Sequence, residues 1–358
     1  MLFKSPHPPR PIKGIPYIGL ALIGCLPSPL KRAYYRFKGA TIGKNVSLGL
    51  FSLIQSPNIT IEDGAKIAPF TFIRTRIRCR IGARSAIHAF TAIDTGVFEM
   101  GQDSSILEQV VIGGMLTPSS SLIIGSRVKI FTYSFINPTE PITIEDDVCI
   151  GGGTYIFAHS SWQSMLDGFP GSFGPVTIKR GAWLAWRVFV MPNVTIGEYA
   201  TIGASSVVTR NIPAHTLALG SPAKPVKTGI EYISSFSESE QHALLLKWLR
   251  EFAEYLTYIG QTAKYTLHDN DSKAQLATAE GVIIYCRQLT ENTTTKANII
   301  ISFAAISETQ RGIYHRSGCD WFDIATRECT FSTSTLWEEL RNFLSRYGVR
   351  FAVKDANS

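Results

Sequence analysis

Most side chains able to carry chemistry in this chain are spaced in ways that exclude it. The six cysteines (Cys25, Cys79, Cys149, Cys286, Cys319, Cys329) are scattered without CxxC spacing, so neither a zinc site nor a disulfide framework is suggested and a reducing cytoplasm fits. His159 is different. It closes the segment YIFAHS, at a defined place in a repeating pattern, and SSWQSMLDGFPGSFGP follows, whose Gly, Pro and aromatic residues break that pattern. An imidazole titrates near neutral pH, and a loop that leaves a rigid scaffold is a common carrier of function, so this neighbourhood is the candidate site. A second cluster is electrostatic. Arg74, Arg76, Arg78 and Arg80 alternate in TFIRTRIRCRIG, and in an extended segment all four project from one face. Such a ladder could meet an anionic polymer or a diphosphate-linked lipid carrier, or form a solvated strand face.

The element that must position His159 is legible from the spacing of aliphatic residues. Ile150 and Ile156, then Leu184, Val190, Ile196 and Ile202, recur every six positions. Six is too long for a helix face or a strand alternation and marks short strands separated by turns, three hexads to each coil of a triangular solenoid. The aliphatic residues of successive coils stack into one core. The repeat begins at Ala40 (ATIGKNVSLG), continues through ITIEDGAKIAPFTFI and IGARSAIHAFTAI, is less regular between Thr95 and Leu122, and runs strongly from Leu122 to Val208. Residues 40–228 are therefore read as one solenoid domain and 229–236 as a linker. From 237 to 358 the pattern changes. Ser237 and Glu240 have capping-box spacing, and Leu245, Leu249, Phe252, Leu256 and Ile259 form one apolar helix face. Strand-like runs GVIIYC and NIIISF and a second helix framed by Thr335, Glu338 and Gly348 predict a small α+β domain of unassigned role.

At 358 residues, 45% hydrophobic and 18% charged, the chain is ordinary for a folded protein, so disorder is excluded as its class. The net charge of +7 is local. Lys4, Arg10, Lys13, Lys31, Arg32, Arg36 and Lys38 stand in residues 1–38 with no acid among them and equal the excess of the whole chain. They flank the apolar stretch Ile15 to Leu26, which is shorter than the roughly 20 residues a spanning helix needs. No cleavage site follows it. Residues 1–39 thus predict either a segment on the inner face of a membrane, with Lys and Arg on anionic lipid, or a cap over the open end of the solenoid. Nucleic-acid binding is disfavoured, because the basic excess is not interleaved across a domain.

Residues 40–228 resemble the hexapeptide-repeat, left-handed β-helix acyltransferases, in particular the sugar and polysaccharide O-acetyltransferases. The stretch AWLAWRVFVMPNVTIGEYATIGASSVVTRNIPAHTLALGSPAKPV carries the likeness: a Trp-containing coil, a Pro-x-Val-Thr-Ile-Gly turn, a Gly-Ala-x-Ser-Val-Val coil and a terminal Pro-Ala-Lys. The resemblance covers a little over half of the chain, says nothing about residues 237–358, and implies a left-handed parallel β-helix of hexapeptide repeats; with the small α+β domain after it, the chain is expected to be mainly β. It implies transfer of an acetyl group from acetyl-CoA to a saccharide acceptor, in a cytoplasmic homotrimer with the acceptor between subunits. His159 holds the family position of the general base that takes the proton of the attacking hydroxyl. Asn137, one coil earlier, lies near the place where relatives carry an Asn or Asp in the acceptor pocket, with one extra residue before Pro141, and is a candidate to orient the imidazole; Glu140 and Asp146 are rivals.

For the coenzyme, the resemblance implies Trp183, an oxyanion donor just after it with Ala185 at a family glycine, Ala204 and Ser205 along the pantetheine arm, and Arg210 and Lys224 near the phosphates. Trp186 and Arg187 depart from the family's Gly-Gly, which puts the shape of that groove in question. The inserted loop, around Trp162, Asp167 and Phe169, is expected to meet the sugar. No metal is implied. A γ-class carbonic anhydrase shares the coil but needs three metal histidines, two of them five residues apart; residue 164 is Ser164, and His7, His88, His215, His242, His268 and His315 do not supply the pattern. N-acyl transfer to an amino sugar and a non-catalytic trimerising scaffold are the alternative functions.

Overall fold

A computed structural model describes residues 17–268, 272–289 and 297–354. The expected segment at 1–39 therefore falls partly outside the described residues, including Lys4, Arg10 and Lys13. The chain forms two compact units, divided between Ser234 and Ser235.

The first unit is a left-handed parallel β-helix with three faces. The first face carries strands such as Ile142–Ile144 and Val176–Ile178, paired in parallel with each other. The second carries Cys149–Ile150, Trp183–Leu184 and Thr201–Ile202, and the third Phe135–Asn137, Tyr155–Phe157 and Phe189–Val190. The hexad residues point inward: Ile150, Ile156, Leu184, Val190, Ile196 and Ile202 are fully buried in one continuous core. The region of weak repeat from Thr95 to Leu122 also belongs to the coil. Met100, Ile106 and Ile112 keep the period of six and are buried, and the disturbance is confined to the excursion at 113–120. A methionine in an aliphatic slot hid the register.

Each coil turns three corners. At corner I, between the first and second faces, many coils place a residue at positive φ, among them Arg84, Asp103, Arg127 and Asp147. That backbone is costly for residues other than glycine. The side chains it projects meet their counterparts on neighbouring coils: Arg84 pairs with Asp103 at 3.0 Å and Arg127 with Asp147 at 2.6 Å. Corner II, between the second and third faces, repeats the device with aromatics. Phe51, Phe70 and Phe90, all at positive φ, stack with ring centroids 5.3 and 5.1 Å apart. Corner III joins the third face to the first face of the next coil. At two levels it has no turn, and the strands Phe72–Ile81 and Ala92–Met100 run straight round it.

The four arginines lie on the first of these strands, and each finds an acid on a neighbouring coil. Arg74 and Arg76 share Asp94, Arg78 pairs with Glu99, and Arg80 with Glu62. The ladder is thus ion-paired along the strand and not an open cationic face.

Two helices close the first coil, α1 (Tyr17–Cys25) and α2 (Ser28–Phe37). Ile23 and Tyr35 join the main core, and the Tyr35 hydroxyl accepts from Ile54 N–H at 2.8 Å. Lys31 is fully buried, and its ammonium donates to the carbonyls of Gly24, Gly49 and Ser52 at 3.2, 2.6 and 3.1 Å. Burial pushes its pKa below the ordinary lysine value. Through these contacts one side of the two helices covers the first coil.

The second unit is α+β: a seven-stranded mixed sheet with helices α3 (Glu238–Tyr258), α4 (Glu308–Ser317) and α5 (Thr335–Ser345). The capping box at Ser237 and Glu240 is formed in both directions, and Leu245, Leu249, Phe252 and Leu256 are buried while Ile259 is at the exposed C-cap. The runs at Val282–Cys286 and Ile299–Ser302 are strands. Helix α4, with its own capping box at Ser307 and Gln310, is an element the apolar pattern does not reveal, because only Tyr314 of it is buried.

Candidate active site

His159 stands at corner III, where the chain leaves the third face after Phe157. His159–Ser160 pairs antiparallel with Ser172–Phe173, so the insertion departs and returns on a two-residue stem. The stem is anchored twice. Gly174 N–H donates to Ala158 O at 3.0 Å, and Asn193 of the next coil donates to the Ser172 hydroxyl at 3.1 Å. Phe173 lies against the imidazole with centroids 5.8 Å apart.

The ring is oriented through a residue that sequence reasoning missed. His159 Nδ1 is 3.2 Å from the Thr139 hydroxyl, and that hydroxyl donates to Asn137 Oδ1 at 2.7 Å. A hydroxyl has one proton. With it committed to the Asn137 carbonyl oxygen, Thr139 Oγ1 offers only lone pairs, an arrangement that matches the neutral tautomer with its proton on Nδ1 and its lone pair on Nε2. Asn137 thus reaches His159 only by way of Thr139. Both partners are buried, Thr139 completely, and the Thr139 carbonyl is held by the hydroxyls of Thr117 and Ser120 one coil earlier, at 2.6 and 3.0 Å. Gly114 makes room for the chain: a Cβ there would stand 2.5 Å from Asn137 Cγ. The legible signals were the Gly113–Gly114 doublet and a threonine two residues after Asn137.

Of the rival acids, Glu140 accepts from the Ser119 hydroxyl at 2.7 Å and Asp146 accepts from Ser126 N–H at 2.8 Å at corner I, so neither is the orienting group. The inserted loop carries a short 3-10 turn, Met165–Asp167, closed by Gly168 at φ 86°. Trp162, Asp167 and Phe169 are all exposed, Trp162 at 95%, and Leu166 at the tip is 99% exposed.

The expected coenzyme residues gather elsewhere. Ala185 follows Trp183 into corner II, and Ala204 and Ser205 occupy the same corner one coil on. Ala185 N–H is committed to Ile202 O at 2.9 Å, so it is not free to stabilise an oxyanion. The next amide, Trp186 N–H, and its counterpart Ala204 N–H have no acceptor among the described residues. Trp186 and Arg187 fold back along the corner: the indole rests over Gly152, where a Cβ would stand 2.5 Å from Cζ3, with the Phe131 ring 6.2 Å away. Lys224 follows Ala223, whose amide donates to Val207 O at 2.8 Å, which places it beside the Ala204–Ser205 corner. Arg210 is exposed at corner III, on the His159 side. One chain therefore brings Asn137, Thr139 and His159 together, and separately Trp183, Ala185, Ala204, Ser205 and Lys224. Among the described residues, no three His, Cys, Asp or Glu side chains group to hold a metal.

No family model matches the chain. It is 53% identical over 53 residues, 15% of its length, to a Schizosaccharomyces pombe protein provisionally named as an acetyltransferase, of which 26% is covered. Over 55 residues it is 47% identical to a dTDP-3-amino-3,6-dideoxy-alpha-D-galactopyranose 3-N-acetyltransferase of Aneurinibacillus thermoaerophilus, covering 15% of this chain and 29% of that protein. The chain spans about a quarter of the length of these curated relatives. Among solved structures, the polySia-specific acetyltransferase NeuO aligns at 20% identity over 57% of this chain and 94% of that one, with a TM-score of 0.38. A hexapeptide-repeat acetyltransferase of Vibrio cholerae O1 biovar eltor complexed with acetyl coenzyme A aligns at 19% identity over 58% and 82%, with a TM-score of 0.28.

Proposed function

We propose that the protein is an acetyl-CoA-dependent O-acetyltransferase acting on a saccharide hydroxyl, with His159 as general base. The observation that carries this reading is the Asn137–Thr139–His159 chain at a corner flanked by an inserted loop, which supports a neutral imidazole that keeps its proton on Nδ1 and offers Nε2 as the base. A sugar hydroxyl is a poor nucleophile at neutral pH, and an Nε2 lone pair can take its proton as the oxygen attacks. The thioester supplies the electrophile. The Trp186 amide, uncommitted where that of Ala185 is not, supports the role of donor to the oxyanion. Lys224 and Arg210 are the cations for the coenzyme's phosphates, and exposed Trp162 and Phe169, with Asp167, are the loop residues for the sugar.

Because the imidazole stands at corner III with Arg210 while Trp183, Ala185, Ala204, Ser205 and Lys224 gather at corner II of the same prism, a complete site needs the corner II of a neighbouring copy. A homotrimer is the arrangement this reading requires. The exposed aromatic surface of the third face, with Tyr155 stacked on Phe189 at 4.8 Å, supports it as a contact between copies. The test is thiol release from acetyl-CoA by the purified protein with a panel of nucleotide sugars and oligosaccharides. Release that depends on an acceptor and is lost in His159→Ala supports the mechanism; equal release by the variant removes His159 from it. The likeness to a 3-N-acetyltransferase favours amino-sugar acylation as a second reading. Mild alkali separates the two, since it cleaves an ester product and spares an amide.

A further inference from the structure

Helix α2 has two faces that packing explains and one that it does not. Lys31 and Tyr35, one turn apart, are buried against the first coil, and Arg36 donates to Ile42 O and Gly43 O at 2.7 and 3.1 Å. These bonds, with Leu48 N–H donating to the Ser28 hydroxyl at 2.9 Å, hold the helix in one orientation. The side turned away from the coil carries Leu30, Ala33 and Phe37, at helical spacings of three and four, all exposed; Leu30 is 57% and Phe37 87% exposed. Leu22, on α1, is 66% exposed. A helix whose buried face is already satisfied gains nothing from a second apolar stripe in water.

The charges around the stripe identify what would cover it. Residues 17–38 contain Lys31, Arg32, Arg36 and Lys38 and no acid. Lys31 is internal, so the cations at the surface are Arg32, Arg36 and Lys38. A second copy of the same end would bring like charges together, which opposes an end-to-end dimer. Apolar residues beside cations that form no ion pair among the described residues match the interface of an anionic bilayer, where the side chains enter the acyl boundary and Lys or Arg meet the headgroups. No helix among the described residues is long and apolar enough to cross a membrane.

We propose that the capped end of the β-helix docks on an anionic lipid surface through the Leu30, Ala33 and Phe37 stripe of α2. The inference does not depend on the acetyl-transfer reading, since its readout is vesicle binding. The full chain would be sedimented with sucrose-loaded vesicles of phosphatidylcholine alone or with phosphatidylglycerol added. Binding is expected to the anionic vesicles only, and to fall at about 1 M salt, where the screening length shrinks to about 3 Å. Ala33→Glu, at an exposed helix position that tolerates glutamate, should lower the partition coefficient by about tenfold or more at an unchanged thermal midpoint. The paired variant Leu30→Ser and Phe37→Ser should do the same. Equal binding to both vesicle types, or Ala33→Glu binding like the wild type, overturns the proposal. So does loss of self-association, followed by sedimentation velocity without lipid, on introducing the serine pair: a second copy would then be the occupant.

Discussion

Replacing Thr139 by valine tests whether the hydroxyl between Asn137 and His159 sets the imidazole for proton abstraction. Valine keeps the shape and removes one acceptor for Nδ1–H and one donor to Asn137 Oδ1, bonds of 3.2 and 2.7 Å. A neutral hydrogen bond contributes about 1 kcal/mol net, which biases the tautomer by about fivefold. Loss of the tether also frees the ring, and a misplacement of about 1 Å can cost about 100-fold. The expected fall in kcat is therefore about 5- to 100-fold, smaller than the 100- to 10,000-fold or so expected for His159→Ala. KM for acetyl-CoA should not change, because Trp183, Ala204, Ser205 and Lys224, proposed for the coenzyme, lie at another corner and the charge of Arg210 is untouched by the substitution. Thr139→Ser restores both bonds and should recover most of the rate. The valine variant leaves the buried Asn137 oxygen unpaired, at a cost of about 1 to 3 kcal/mol, so rates are to be compared well below its unfolding midpoint. The assay is thiol release at saturating acetyl-CoA with the best acceptor of the panel. Thr139→Val turning over at the wild-type rate while His159→Ala is inactive would refute the positioning argument.

Three further outcomes are expected. Gly114→Ala drives a methyl into the Asn137 side chain, so it should lower kcat about tenfold or more through the same chain and destabilise the fold by about 1 to 3 kcal/mol, measured by paired kinetics and denaturant unfolding. Trp162→Ala removes a side chain that touches almost nothing in the isolated chain; its unfolding midpoint should stay put while KM for the acceptor rises, and an unchanged KM would take the loop tip out of acceptor binding. Burial pushes the Tyr35 hydroxyl up to about 12 from 10.0. Its folded-state pKa is the higher one, so its contribution is complete below about pH 10 and declines towards pH 12, by about 3 kcal/mol across the window. Tyr35→Phe, which cannot ionise, should therefore close its stability deficit against the wild type as unfolding is followed from about pH 8 to pH 11. A constant deficit would mean that the phenol ionises alike in both states.

The part of this protein that one sequence determines is the part governed by local rules. A side chain every six residues must face inward if short strands turn three corners per coil, so Ile150, Ile156, Leu184 and their counterparts could be assigned to the core without coordinates. The capping box at Ser237 spans only four residues and was equally readable. What tertiary structure decided are the contacts between coils. The partners of Arg74, Arg78 and Arg80 lie 20, 21 and 18 residues away, a coil's length that no strand alternation encodes, and they turn a candidate polymer-binding ladder into an internally paired one. The same holds for the candidate site. His159 is marked by its place in the register, but Thr139 is 20 residues earlier and is its partner only because successive coils stack in register, while Asn137, which the resemblance implies as the orienting group, sits one hydrogen bond behind it. Which amide after Trp183 stays uncommitted also depends on the coil that follows, since Ile202 claims the proton of Ala185 and leaves that of Trp186. Hydrophobic period is a property of neighbours along the chain, whereas a hydrogen-bond partner is a property of neighbours in space, and in a solenoid the two differ by one full turn of the coil.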